Sequence, residues 1–208
     1  MKKLTKIFTL ATFLAFSISE ISAFGIGAWG GYNFTSVKGA ECVSGFGNCS
    51  SSTGGLSFGG DLWILGFGPV QLGITGAYLP LSNLKYDLTL GSSTTRIEAS
   101  TAYFTATGGA RISIPFVGIF VGAGVGPAFQ IATLKLGGST VPVDSKTAFA
   151  LQAMVGKGFG IGPISIDVAL RYYLVTAEIP STDTSGNSTT SKDSVSNFVP
   201  SVGVTLAF

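Results

Sequence analysis

The run Gly118-Ile119-Phe120-Val121-Gly122-Ala123-Gly124-Val125-Gly126 decides the fold. It lies in an uncharged stretch between Arg111 and Lys135, the one internal segment that could be mistaken for a membrane helix. Ile119, Val121, Ala123 and Val125 take alternate positions, and glycine fills most of the places between them. A period of two belongs to a strand with unlike faces. A helix here would lose about 1 kcal/mol at each glycine and about 3 kcal/mol at a proline such as Pro127. Gly118 and Gly122 match the spacing of small residues at packed membrane helices, but the surrounding alternation makes that match a coincidence.

The same alternation recurs on both sides of this run. Apolar faces are formed by Phe24 to Phe34, Leu56 to Ile64, Val70 to Tyr78, Ala102 to Ile114, Phe149 to Val155, Ile164 to Leu174 and Phe198 to Phe208, giving eight strands in all. Glycine and proline mark tight reversals at Gly66-Phe67-Gly68-Pro69, Pro115-Phe116-Val117-Gly118 and Gly160-Ile161-Gly162-Pro163. Between these turns run longer polar connections at 37–53, 80–95, 135–146 and 176–194. Short turns on one side and long loops on the other predict an all-β, eight-stranded antiparallel up-and-down transmembrane β-barrel, with periplasmic turns and extracellular loops.

Composition agrees. Only 11% of the 208 residues are charged, against about 25% in ordinary soluble domains. The 30 glycines and 8 prolines argue against helical spans. Lys2, Lys3 and Lys6 precede an uncharged ten-residue stretch from Ile7 to Phe16, and Ile21-Ser22-Ala23 supplies small residues for cleavage. Residues 1–23 therefore read as a secretory signal peptide and 24–208 as the barrel domain. The chain from Phe24 onward holds nine basic and nine acidic residues, so no basic field points to nucleic acid.

Charge placement separates a membrane barrel from a soluble one. Thirteen of these eighteen charges fall in or beside the long connections, and Asp61, Arg111, Asp167 and Arg171 fall on the polar strand face. Lys157 alone sits on the apolar face, where its stem can carry the ammonium to the headgroups. A lipid-facing charge at the bilayer midplane costs about 2–4 kcal/mol, so a bilayer enforces this sorting. A soluble closed barrel would bury the apolar face and carry many more surface charges.

These features resemble the small outer-membrane barrels of the OmpA transmembrane-domain and OmpX/Ail type, with the OmpW-like barrels second. The resemblance spans 24–208 and implies integral residence in the bacterial outer membrane. It also implies that Val202, Val204, Leu206 and the terminal Phe208 form the signal read by the barrel-assembly machinery. The remaining partners expected are outer-membrane lipid and a host or neighbouring surface protein, with the chain itself a monomer.

Eight strands enclose a lumen that side chains just fill. Asp61, Arg111, Asp167 and Arg171 balance to zero, which predicts a lumenal ion-pair network because each buried charge needs a partner. Trp29, Trp63, Leu65, Leu79, Phe120 and Met154 share the inward parity, so the lumen is less polar than a water channel. They fit either a packed plug relieved by glycine or a narrow conduit for apolar molecules. The chain has no histidine, which removes the usual base for an activated serine, so no catalytic residues, metal or cofactor are expected. Cys42 and Cys49 are the only cysteines, and in an exported chain a disulfide between them is expected. The fourth strand's run from Arg96 to Ile114 exceeds what a bilayer needs, so its upper part should project outside. An envelope-structural or adhesin-like role through this surface is the expectation, with the conduit as its rival.

Overall fold

A computed structural model describes residues 24–36, 48–90, 93–114, 116–136, 139–143, 147–182 and 188–208. The proposed signal peptide, Cys42 and Pro115 lie outside the described residues, and with Cys42 the expected disulfide. Eight long strands form the wall: β1 (Gly25–Ser36), β3 (Gly55–Phe67), β4 (Val70–Leu90), β5 (Ser93–Ser113), β6 (Ile119–Leu136), β8 (Thr147–Ile161), β9 (Ile164–Thr182) and β10 (Ser188–Ala207). Two short strands, β2 (Asn48–Thr53) and β7 (Ser139–Val143), pair with the outer ends of β4 and β6. Each wall strand is antiparallel to the next, and β1 returns to β10, with Gly25 opposite Ala207 and Ser36 opposite Ser196. The sheet is thereby closed, and its wall has no free edge in the membrane.

Side-chain direction follows the sequence alternation. In β1, Gly25, Gly27, Trp29 and Asn33 are buried while Ile26, Ala28, Tyr32 and Phe34 are exposed. The exposed face repeats around the wall in Phe58, Ile74, Phe104, Val125, Leu151, Val168 and Val204. A continuous belt of exposed aliphatic and aromatic side chains is stable only against lipid. Two turns place a glycine of positive φ before a proline, Gly68-Pro69 and Gly162-Pro163, which suits a two-residue hairpin on the right-handed strand twist. The third turn holds Phe116 at φ 68° with its ring fully in the open.

Two expectations need correction. The long connections are largely strand: β4 and β5 stay paired through Leu90 and Ser93, and β9 and β10 through Thr182 and Ser188. Polar, β-branched sequence reads as loop when taken alone, but cross-strand pairing extends the hairpins through it. Leu65 does not face the lumen. The register between β3 and β4 shifts between Trp63 and Leu65, and this bulge leaves both Ile64 and Leu65 exposed.

Candidate functional site: the filled lumen and its outer extension

The lumen is built in tiers. Nearest the short turns, Arg111 on β5 donates through Nε and Nη2 to Gln71 Oε1 at 2.9 and 2.6 Å. Its Nη1 lies 3.7 Å from Asp167 Oδ2 on β9. The guanidinium lies over two aromatic rings, 4.7 Å from that of Trp63 and 5.0 Å from that of Phe120. Asp167 in turn accepts from Ser165 Oγ and Thr205 Oγ1, both at 2.7 Å.

The next tier joins Arg171 on β9 to Asp61 on β3. Nη1 and Nη2 meet the two carboxylate oxygens at 3.1 and 2.7 Å, a two-pronged geometry that suits a planar guanidinium. Thr75 donates to Asp61 Oδ1 at 2.8 Å, and the Trp29 ring stacks 4.4 Å from the guanidinium. Thr107 Oγ1 donates to Gln152 Oε1, and Gln152 Nε2 donates to the Tyr173 hydroxyl at 3.3 Å. Asp61, Arg111 and Asp167 thus each meet an opposite charge and at least one neutral hydrogen-bonding group, whereas Arg171 bonds to Asp61 and leaves its buried Nε without a hydrogen bond.

The extracellular half differs in kind. Leu79, Leu81, Ala128, Ala150, Val175, Val195 and Val199 form a buried apolar cluster with Trp29, Tyr103 and Tyr173. Beside it Asn33 Nδ2 donates to Asn197 Oδ1 at 3.0 Å and to the Pro80 carbonyl at 2.6 Å, tying β1 to β10 and β4.

Glycine makes room for the large inward side chains. A Cβ on Gly59 would lie 2.4 Å from the Trp29 ring, and one on Gly156 would lie 2.5 Å from the Phe120 ring. The sequence parity placed Trp29, Trp63, Leu79, Phe120 and Met154 inward, as observed. It did not reveal that three of these aromatics face arginines, nor that Gln71, Thr75, Ser165 and Thr205 complete the charged tiers. Their shared parity with the charges was the available signal.

Above the membrane, β4 and β5 run 21 residues each, whereas about 9–11 tilted residues cross a bilayer. Their outer ends combine with β2, β6 and β7 into a projecting sheet in the order β2-β4-β5-β6-β7. Pairing aligns Lys85, Glu98 and Lys135 in one cross-strand row and sets Asp87 opposite Arg96. Among the described residues β2 pairs only with β4 and β7 only with β6, so the sheet ends in two short edges. Cys49 lies in β2. Val202, Val204, Leu206 and Phe208 all face outward at the end of the chain, and Phe208 N–H donates to the Phe24 carbonyl at 2.9 Å.

No family model matches the sequence, and no curated protein matches it. Solved structures do match. Ail, the attachment invasion locus protein of Yersinia pestis, in complex with the heparin analogue sucrose octasulfate, aligns with TM-score 0.51 and 14% identity, covering 89% of this chain and 99% of that one. Neisserial surface protein A aligns with TM-score 0.46 and 16% identity over 89% of this chain and 97% of that one. OprG from Pseudomonas aeruginosa aligns with TM-score 0.43 and 11% identity over 91% and 99%. The similarity is one of fold: this chain is a small eight-stranded barrel of the outer-membrane type, and its lipid-facing belt suits that location.

Proposed function

We propose that the protein is a non-enzymatic outer-membrane barrel whose working surface is the projecting sheet, used for adhesin-like contact or envelope structure. The observation that carries this reading is the length of β4 and β5, twice what a bilayer requires, on a wall whose lumen is packed. Residues not needed for spanning stay paired and extended, so they form a stiff platform. Among the described residues the short edges at β2 and β7 have no further strand beside them, and a partner strand can add there. Opposite charges alternate across the platform, so it favours a partner with mixed polarity over a strongly acidic or basic one. Phe208 and the alternating residues before it serve, in this reading, as the handle for assembly. The lack of histidine in the chain supports a non-catalytic role.

The test replaces residues 83–100 with an Asn-Gly turn and compares adhesion of whole cells to immobilised extracellular-matrix proteins. The trimmed barrel should still show heat-modifiable gel migration and should lose binding. Unchanged binding would remove the platform from the function. The rival reading, a narrow conduit for small apolar molecules, draws on the apolar cluster in the outer half of the lumen. It requires uptake of an apolar solute that falls when the protein is deleted.

A further inference from the structure

The wall carries a groove of about 560 Å³ on its lipid face, within the size range of small-ligand pockets, about 300–1,000 Å³. It crosses four strands. Pairing places Lys157 opposite Val168, Val168 opposite Val202 and Val202 opposite Gly30, so one cross-strand row leads from β8 through β9 and β10 to β1. Leu170 and Pro200 line the neighbouring row. At the far end Gly30 has no side chain, and a Cβ there would meet only the Ser57 carbonyl, at 3.9 Å. The groove is thus a gap in the apolar belt beside the bulkier Val168, Leu170 and Val202.

Ser201 lines the groove with its hydroxyl donated to the Ala169 carbonyl at 3.2 Å, and the one charged lining residue is Lys157. Among the described residues of the membrane-crossing wall, this is the sole charge that faces lipid. It stands four residues above the Ile161 turn, and its Nζ lies 5.4 Å from the Phe159 ring, which is nearer that turn. At about 3.4 Å per residue and a tilt near 45°, the lysine Cα sits about 10 Å above the periplasmic rim. A stem drawn downward delivers the ammonium to the headgroup layer. A cation with no ion-pair partner among the described residues, at headgroup depth and next to an apolar channel that leads toward the midplane, matches the shape and polarity of a lipid.

We propose that this groove is a specific site for one glycerophospholipid of the periplasmic leaflet, with an acyl chain along Val168, Val202 and Gly30 and the phosphate on Lys157. A phosphate supplies the counter-charge that no described protein group offers there, and the acyl chain fills space that Gly30 leaves open. Binding to the general lipid annulus would have neither the fixed end nor the charge dependence.

The purified barrel, in detergent, is titrated with dioleoyl-phosphatidylglycerol or with phosphate-free dioleoylglycerol, and retained lipid is read by native mass spectrometry. Wild type should hold one phosphatidylglycerol and release dioleoylglycerol readily. Gly30→Leu, which fills the gap, and Lys157→Gln, which removes the cation, should each weaken retention by about tenfold or more. Gly108→Leu is the control, because Gly108 faces lipid on β5 with nothing within 4 Å of its Cβ position. Each variant must show the heat-modifiable migration of wild type before it is scored. Equal retention by Gly30→Leu and wild type, an equal loss in Gly108→Leu, or equal retention of the two lipids would overturn the proposal.

Discussion

Arg171 and Asp61, separated by 110 positions in the chain, meet inside the barrel through two hydrogen bonds of 3.1 and 2.7 Å. Both side chains are nearly inaccessible, at 4% and 5%. Removal of one partner strands the other charge away from water, which costs about 3–5 kcal/mol. Asp61→Ala should lower the urea midpoint of the folded barrel in lipid vesicles by a corresponding amount. The double variant Asp61→Leu with Arg171→Met, which leaves no orphaned charge, should recover most of the loss. A midpoint unmoved in Asp61→Ala would show that the pair contributes nothing to stability.

Glycines on the inner and outer faces should respond in opposite ways. A Cβ on Gly59 meets the Gly76 carbonyl at 2.3 Å and the Trp29 ring at 2.4 Å. Gly59→Ala should therefore destabilise by about 1–3 kcal/mol, the usual cost of overpacking. Gly108→Ala meets open space and reduces the freedom of the unfolded chain, so it should be neutral or stabilising by up to about 1 kcal/mol. Denaturant titrations of the two variants, side by side, check the contrast.

Phe208 can be tested for an assembly role separately from a local anchor. Its ring lies 6.0 Å from that of Phe24, a contact that closes the end of the barrel. If Phe208 serves mainly in assembly, Phe208→Ala should reduce the amount folded in cell envelopes severalfold while refolding from urea into detergent proceeds at wild-type yield. An equal defect in both settings would assign the residue to local stability instead.

Conductance separates the filled lumen from a conduit. Leu79 and Tyr173 are fully buried in the outer half. Wild-type protein in planar bilayers should show no steady single-channel steps, whereas Leu79→Ala combined with Tyr173→Ala should introduce them. Each truncation costs about 2–5 kcal/mol, so the gel-shift assay must first show the double variant folded. Steps of the same size in the wild type would favour the conduit.

Period-two alternation is a property of the strand backbone itself, so the eight crossings were readable from local sequence, as was the inward direction of Trp29, Asp61 and Arg171. The same rule failed at Leu65 because a bulge inserts a residue, and nothing in Ile64-Leu65 announces one. It also failed in 80–95 and 176–194, where strand structure depends on a partner across the sheet rather than on propensity.

The sequence by itself determined a barrel with an apolar exterior, short turns on one rim and inward charges that sum to zero. Tertiary structure alone decided that Asp61 meets Arg171 while Arg111 lies over the rings of Trp63 and Phe120, because partners across a lumen are set by strand order and register. It alone aligned Lys157 with Val168, Val202 and Gly30. Residues from four strands form one groove only after the closing pairing of β1 with β10 has brought the first and last wall strands together.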